Sequence, residues 1–487
     1  MTAHTNHLKQ IKALFTRSNL WLVLGLVLFL FSHGRVTIPI CSWFAFVFLI
    51  RFHRTATRPR LALLTLWIGI SASNAFMYDG MFPAKGLVFY AACLLFGAIW
   101  VLPFIVDRVL YHRLNAFASA FLWPLVMVTI NFFLAPYLPN LAHSQTDSLS
   151  LIQLVSITGV GGLVLLIYWF AGSFNRIWES GFEWALAKRI GGIFLGVLLL
   201  AVVFGDARLA FAKDQPETLQ VAMINLQRNR LRSLDNFEPK IVRELFAASK
   251  KAAAAGAKVI AWAEANAAIP LSYEDELIRL GKEFAKENQV HLFMTFISYS
   301  TLILNENKTI GFAPSGDIVV DYLKSHTVPI LEAGTKKGGG EVATADIGGI
   351  RTGHVICYDG DFPSFMQHVG RHGVDILFLP SSDWQASKFL HAASARFRAI
   401  ENGCSLVRPT MQGLSIATDP YGRVLACHDY FSNAPRLSMV GVPSRGVRTV
   451  YAMCGELFSL ICIVAFVGLI GSAYLKGYPT GCGRGQS

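Results

Sequence analysis

Residues 257–264 read Ala-Lys-Val-Ile-Ala-Trp-Ala-Glu, and residues 351–359 read Arg-Thr-Gly-His-Val-Ile-Cys-Tyr-Asp. Each is a short apolar run that stops on a reactive side chain, Glu264 in one and Cys357 in the other. Apolar runs of this length, bounded by polar breaks, predict strands buried on both faces. Around them the pattern alternates. Strands are predicted at 218–225, 290–298, 375–380 and 414–419, helices at 237–255, 274–288 and 388–402, and a hairpin at Ser315-Gly316. Strands alternating with helices indicate a layered α/β fold. Such sheets gather their sites at strand ends and the loops beyond them, which is where Glu264, Lys324 and Cys357 stand.

The flanks of this globule are different. The chain has 487 residues, 53% hydrophobic and only 15% charged, with a mean hydropathy of +0.45. Soluble domains carry about 25% charged residues. The excess apolar residues fall in eight segments, at 20–31, 36–50, 61–78, 87–106, 116–136, 149–174, 190–205 and 451–474. A spanning helix needs about 20 residues, so segments three to six and the last are long enough and the first two are short. The resulting division is a transmembrane domain over residues 1–210 with about seven spans, a catalytic globule over 216–445 and a C-terminal transmembrane helix over 451–474.

Charge sets the orientation. Basic residues cluster in alternate loops: Lys9, Lys12 and Arg17; Arg51, Arg54, Arg58 and Arg60; Arg108 and Arg113; Arg176, Lys188 and Arg189; Lys476 and Arg484. The intervening loops hold only Arg35 and Lys85. Positive loops stay cytoplasmic, so the globule is expected outside the cytoplasm. The net charge of +12 is then a topology signal, and no nucleic-acid motif accompanies it. Asp107 and His112 close the fourth segment and read as a solvated loop. None of the eight cysteines forms a CxxC pair, and no Cys/His cluster has metal spacing; His368 and His372 read as a helix surface. Neither a metal nor a cofactor is expected.

A carboxylate, an amine and a thiol are the groups a cysteine acyl-transfer site needs: a base, a cation for the developing oxyanion and a nucleophile. Their setting sharpens this. Trp262-Ala263-Glu264 comes first, then Tyr322, Lys324, His326, Val328, Pro329 and Glu332 in one motif, then Cys357-Tyr358-Asp359. In that order and spacing the chain resembles the nitrilase (carbon–nitrogen hydrolase) superfamily. With seven spans before the globule and one after, it is most similar to the membrane branch, the apolipoprotein N-acyltransferase family. Ser382-Asp383-Trp384, His391, the stretch from Arg396 to Gly403, Arg408 and the Asp419–Arg423 turn also look like that family.

The resemblance implies an αββα sandwich of nitrilase type on a polytopic α-helical membrane domain. It implies Glu264 as general base, Cys357 as nucleophile and Lys324 as oxyanion stabiliser. Glu332 and Asn307 would support them, Tyr358 would offer a backbone N–H to the oxyanion, and Trp384 would flank the site. The implied reaction moves a phospholipid acyl chain through a Cys357 thioester to the N-terminal amine of a diacylglyceryl-cysteine lipoprotein. Two alternatives stay open: a membrane-bound carbon–nitrogen hydrolase or amidase, and a divergent paralogue acylating another lipid-linked amine. Three departures from the family bear on this. Ile330-Leu331-Glu332 replaces the usual Phe-Gly-Glu, only 24 residues lie between Glu332 and Cys357, and Asp359 replaces the branch's glutamate. Trp262 is open between core and acyl site, His326, His354 and His391 are near enough for proton transfer, and Arg396 and Arg398 are expected in ion pairs.

Overall fold

The structure is a computed structural model and describes residues 17–82, 84–136, 140–212, 217–226, 239–300, 304–432 and 437–475. Lys9, Lys12, Lys476, Arg484 and Cys482 lie outside the described residues. The apolar flank folds as helices α1 (Arg17–Leu30), α2 (Pro39–Thr55), α3 (Pro59–Met77), α4 (Gly86–Leu110), α5 (Ala116–Ala120), α6 (Leu122–Leu134), α7 (Leu149–Ile152), α8 (Val155–Thr158), α9 (Val160–Glu179) and α10 (Trp184–Ala210). Among the described residues, five helices are long and apolar enough to cross a membrane: α3, α4 with its 3₁₀ extension, α9, α10 and the C-terminal Leu457–Leu475.

Segment boundaries differ from the sequence expectation in instructive ways. The fifth segment is not one helix but two, broken at Phe121, and its longer piece has only 13 residues. The sixth breaks at Gly159, whose φ of +62° starts α9 afresh. A side chain there would run into the Tyr451 ring at 2.6 Å, and the next residue's N–H, on Val160, donates to Glu401 Oε1 of the globule at 3.0 Å, so the break is where the membrane part meets the globule. The seventh is longer than its apolar run, 27 residues in α10.

Asp107 is a correction. It belongs to α4 and is buried, although His112 is exposed as expected. The Arg54 guanidinium forks onto its two oxygens at 2.7 and 3.0 Å, and Trp123 Nε1 donates to it at 2.9 Å. Arg54 also reaches Glu179 at 3.3 Å and lies 3.6 Å above the Tyr111 ring. A bidentate pair with every face occupied is how a charge persists among apolar helices. Asp107→Ala leaves the buried Arg54 with only its longer contact to Glu179 and is expected to cost about 3 kcal/mol, read as a lower thermal midpoint of the detergent-purified protein.

Among the described residues the globule contains two large sheets and a two-stranded one, β10 beside β12. The first runs in the order β15-β1-β2-β4-β5-β6, with β3 beside β4; the second runs β14-β13-β11-β9-β8-β7. Their strands are β1 (Thr218–Ile224), β2 (Val259–Trp262), β3 (Ala267–Pro270), β4 (His291–Tyr299), β5 (Glu306–Phe312), β6 (Ile318–Leu323), β7 (Ala343–Ile347), β8 (Ile350–His354), β9 (Ile376–Phe378), β10 (Ser381–Ser382), β11 (Ser405–Arg408), β12 (Thr410–Met411), β13 (Leu414–Thr418), β14 (Val424–Asp429) and β15 (Leu437–Pro443). The central pairs β1/β2, β2/β4, β8/β9 and β9/β11 are parallel, which explains why 259–262 and 376–378 are apolar at every position.

One core lies between the sheets, joining Val221, Val259 and Phe293 of the first to Ile376, Leu377 and Leu406 of the second. Helices α11 (Lys240–Ala254) and α12 (Glu274–Asn288) cover the first sheet through a separate core around Leu245, Trp262 and Phe284. On the second, α13 (Pro363–Arg371) and α14 (Lys388–Asn402) form the outer layer. The result is the αββα sandwich.

Helix α14 also joins the two parts of the molecule: Phe397 and Ile400 belong to the core of the membrane helices. Its C-terminus is fixed by Gly403 at φ +70°, where a Cβ would lie 1.9 Å from the Val447 carbonyl, so the left-handed cap and the close approach both demand glycine. Arg398 makes the expected ion pair, with Glu401 at 2.9 Å. Arg396 does not; it donates instead to the Gly422 and Thr146 carbonyls, tying the globule to the loop before α7. Chain continues through α15 (Val450–Cys454) into α16 (Leu457–Leu475).

Candidate active site

Glu264, Lys324 and Cys357 each follow the end of a strand: β2, β6 and β8. Two strands belong to the first sheet and one to the second, and the sandwich brings their ends together. Lys324 is 1% exposed. Its Nζ lies 2.8 Å from Glu264 Oε1 and 2.9 Å from Glu332 Oε1. Asn307, on β5, donates Nδ2 to the same two oxygens at 2.8 and 3.1 Å, and Lys324 N donates to the Asn307 carbonyl. Val328 N caps the second oxygen of Glu332 at 2.6 Å. Two carboxylates thus share one ammonium and one amide. Burial works against the Lys324 charge, but Glu264, Cys357 and Glu332 outweigh it and hold the pKa above the ordinary lysine range.

Cys357 has φ +48°. A left-handed backbone at a non-glycine residue is uncommon and points to a functional constraint. The turn is held from both sides. Cys357 N donates to the Pro380 carbonyl at 2.9 Å, and Asp359 Oδ2 accepts from Ile356 N at 3.0 Å. Asp359 is itself fully buried, accepting from Tyr322 OH at 2.7 Å and from His326 N at 2.7 Å. The short aspartate therefore does a positioning job, and Tyr322 and His326 from the Lys324 motif supply its partners. Cys357 Sγ contacts the Ser382 carbonyl at 3.8 Å. Burial and the nearby Glu264 push the thiol well above its usual range, against the pull of Lys324. The resting group is a thiol, so a base must act before it can attack.

The sulfur opens onto a cavity of about 310 Å³. One wall belongs to the globule: Cys357, Tyr358, Trp384, His391 and Arg408. The opposite wall belongs to the membrane part: Met81, Phe82, Asn131, Pro136, Val160 and Gly161. Tyr358 OH bridges the two, donating to the Pro136 carbonyl at 3.2 Å. Ile330 sits at the rim, 78% exposed with φ +69°. A β-branched residue rarely takes that conformation.

The other sequence candidates fall out as follows. Trp262 is core, its Nε1 on Ser249 Oγ at 3.0 Å. His354 is buried between Phe293 and Phe378, and burial drives its pKa down to about 3. His326 stacks on Phe362 and serves Asp359. His391 alone of the three lines the cavity. Unseen in the sequence were the membrane-side residues of that cavity, which carry no motif and are assembled by helix packing.

A family profile described as Carbon-nitrogen hydrolase matches residues 210–448. Among curated proteins, the apolipoprotein N-acyltransferase of Geobacter metallireducens is 26% identical, the match covering 70% of this chain and 71% of that one. Apolipoprotein N-acyltransferase 1 of Treponema denticola is 23% identical over 93% of this chain and 95% of its own. Among solved structures, an amidase from Nesterenkonia sp. covers 48% of this chain and 94% of its own at 17% identity, with a TM-score of 0.42. The family profile spans the whole sandwich and the curated relatives extend across the membrane helices. The chain is an acyltransferase of the nitrilase superfamily, of the apolipoprotein N-acyltransferase-like kind.

Proposed function

We propose that the chain moves an acyl chain from a phospholipid, through a thioester on Cys357, to the N-terminal amine of a diacylglyceryl-cysteine lipoprotein. The observation that carries this reading is the cavity: the thiol opens into a space lined on its other side by the helical N-terminal part, through Met81, Phe82 and Pro136 of its loops, Asn131 of α6 and Val160 and Gly161 at the start of the apolar helix α9. Both substrates are anchored in lipid, and a site at that junction meets them by lateral diffusion. A soluble amide substrate has no need of such a wall.

In the first half-reaction Glu264 takes the Cys357 proton and the thiolate attacks the ester carbonyl. Lys324 and the Tyr358 backbone N–H stabilise the oxyanion. The C–O bond breaks and Glu264 returns the proton to the leaving alcohol, giving a lysophospholipid and the thioester. In the second, the acceptor amine attacks the thioester and the C–S bond breaks. Glu332 and Asn307 hold the base and the ammonium in register, and Trp384 lines the acyl path. The alternating basic loops support a topology with the globule on the periplasmic side of the inner membrane, residues 1–210 and 451–474 forming the transmembrane parts and 216–445 the catalytic domain.

The test is direct. Purified protein incubated with acyl-labelled phospholipid is expected to hold the label on Cys357 as a hydroxylamine-sensitive thioester, and a diacylated lipopeptide is expected to discharge it. Discharge by water at the same rate with or without lipopeptide would instead identify a hydrolase.

A further inference from the structure

Proton accounting exposes a group that the mechanism above does not use. An α-amine has a pKa of about 7.7–8.0, so the acceptor arrives near neutral pH largely as an ammonium ion. Forming the amide N–C bond and breaking the C–S bond removes two protons from that nitrogen. One returns to the Cys357 sulfur by way of Glu264. The second has no acceptor in the triad, whose only other member is the cationic Lys324.

We propose that His391 is the base that receives this surplus proton. It stands on α14 and lines the same cavity as Cys357. Its Nδ1 lies 2.9 Å from Asp383 Oδ1, and a carboxylate only accepts, so the Nδ1 proton is fixed there and the Nε2 lone pair is left for the cavity. No hydrogen bond of Nε2 occurs among the described residues. Asp383 is anchored in turn by Arg408 Nη2 at 2.8 Å. It directly follows Ser382, whose carbonyl touches the Cys357 thiol. The dyad is thus built into the loop that contacts the nucleophile.

The surroundings of the ring suit the task. Burial lowers its pKa, but Asp383 and, more weakly, Asp361 raise it and Arg408 opposes them, leaving it above the ordinary histidine value. His143 faces it from the membrane side. On its own helix, Lys388 is engaged by Asp429 and Arg398 by Glu401.

The inference rests on the amine-acceptor reading, and the experiment separates the two. Label is loaded onto Cys357 from phospholipid, and discharge is timed between about pH 6 and 9. Two acceptors are used: a diacylated lipopeptide with its α-amine, and an aminooxy-terminated analogue whose nitrogen is uncharged throughout. Failure of the unaltered protein to load would defeat the acyl-enzyme reading before His391 is touched. For His391→Gln, loading itself reports a folded triad. Discharge by the α-amine acceptor is expected to be slower by roughly a hundredfold near pH 6.5, the deficit shrinking as pH passes about 8 and being far smaller with the aminooxy acceptor. Equal slowing at every pH and with both acceptors would reduce His391 to a structural role and overturn the proposal, as would no slowing. If His391→Gln fails to load, Asp361→Asn removes a charge facing the ring and is expected to shift the acid limb of discharge to lower pH; an unmoved limb overturns the proposal.

Discussion

Cys357→Ala is expected to abolish acyl transfer, with a loss on the order of a millionfold, as when other catalytic nucleophiles are removed. The protein should remain folded. The thiol makes one weak contact, 3.8 Å to the Ser382 carbonyl, and the turn that presents it is held by backbone bonds to Pro380 and by Asp359. Alanine takes the same left-handed backbone at the same steric cost as cysteine, so the substitution changes chemistry and not geometry. Its stability effect should fall within about 1 kcal/mol. Two readouts check this: label from phospholipid no longer stays on the protein, and the thermal midpoint is unchanged. Normal turnover by the variant would end the cysteine mechanism.

How the site was legible follows from the same geometry. Glu264 and Cys357 each terminate an apolar run, and a run's end is visible without knowing which strand lies beside it; Lys324 stands out through the Tyr322–Glu332 motif. Glu332 and Asn307 were legible only through the family resemblance, because nothing in their own neighbourhoods signals that both converge on Lys324. Asp359 looked like a variant of a family glutamate. Its role became plain only when Tyr322 and His326, more than 30 residues earlier, appeared as its donors.

The membrane part was read less well for a physical reason. Hydropathy reports composition along the chain, whereas a buried ion pair depends on a partner elsewhere. Asp107 looked like a loop residue because Arg54 is 53 residues away. Likewise, the break at Gly159 is decided by Glu401 of the globule and Tyr451 of the C-terminal segment, which no local window contains. The same limit hid the far wall of the cavity.

Lys324→Met carries the second large effect, and here stability and chemistry must be separated. Methionine leaves Glu264 and Glu332 facing each other with only the Asn307 amide between them. Stranding buried charge in this way costs about 3–5 kcal/mol. In addition, loss of an oxyanion stabiliser costs roughly 10²–10³ in rate. The variant should therefore melt earlier and turn over undetectably, and neither result alone identifies the role of the lysine. Adding Glu332→Gln distinguishes them. It removes one stranded carboxylate while keeping an acceptor for Val328 N, so the double variant should regain part of the lost stability. Turnover should stay lost, because no cation faces the oxyanion. The sign of the pH dependence gives an independent check. Lys324 has a folded pKa above its unfolded value of about 10.4, so its stabilisation is fully present below that value and fades only as pH rises through the folded pKa. Across the neutral range the stability gap between wild type and Lys324→Met should then owe nothing to titration of the lysine itself. Recovery of turnover in the double variant would show that Lys324 only neutralises its carboxylates, and would move oxyanion stabilisation to the backbone N–H of Tyr358.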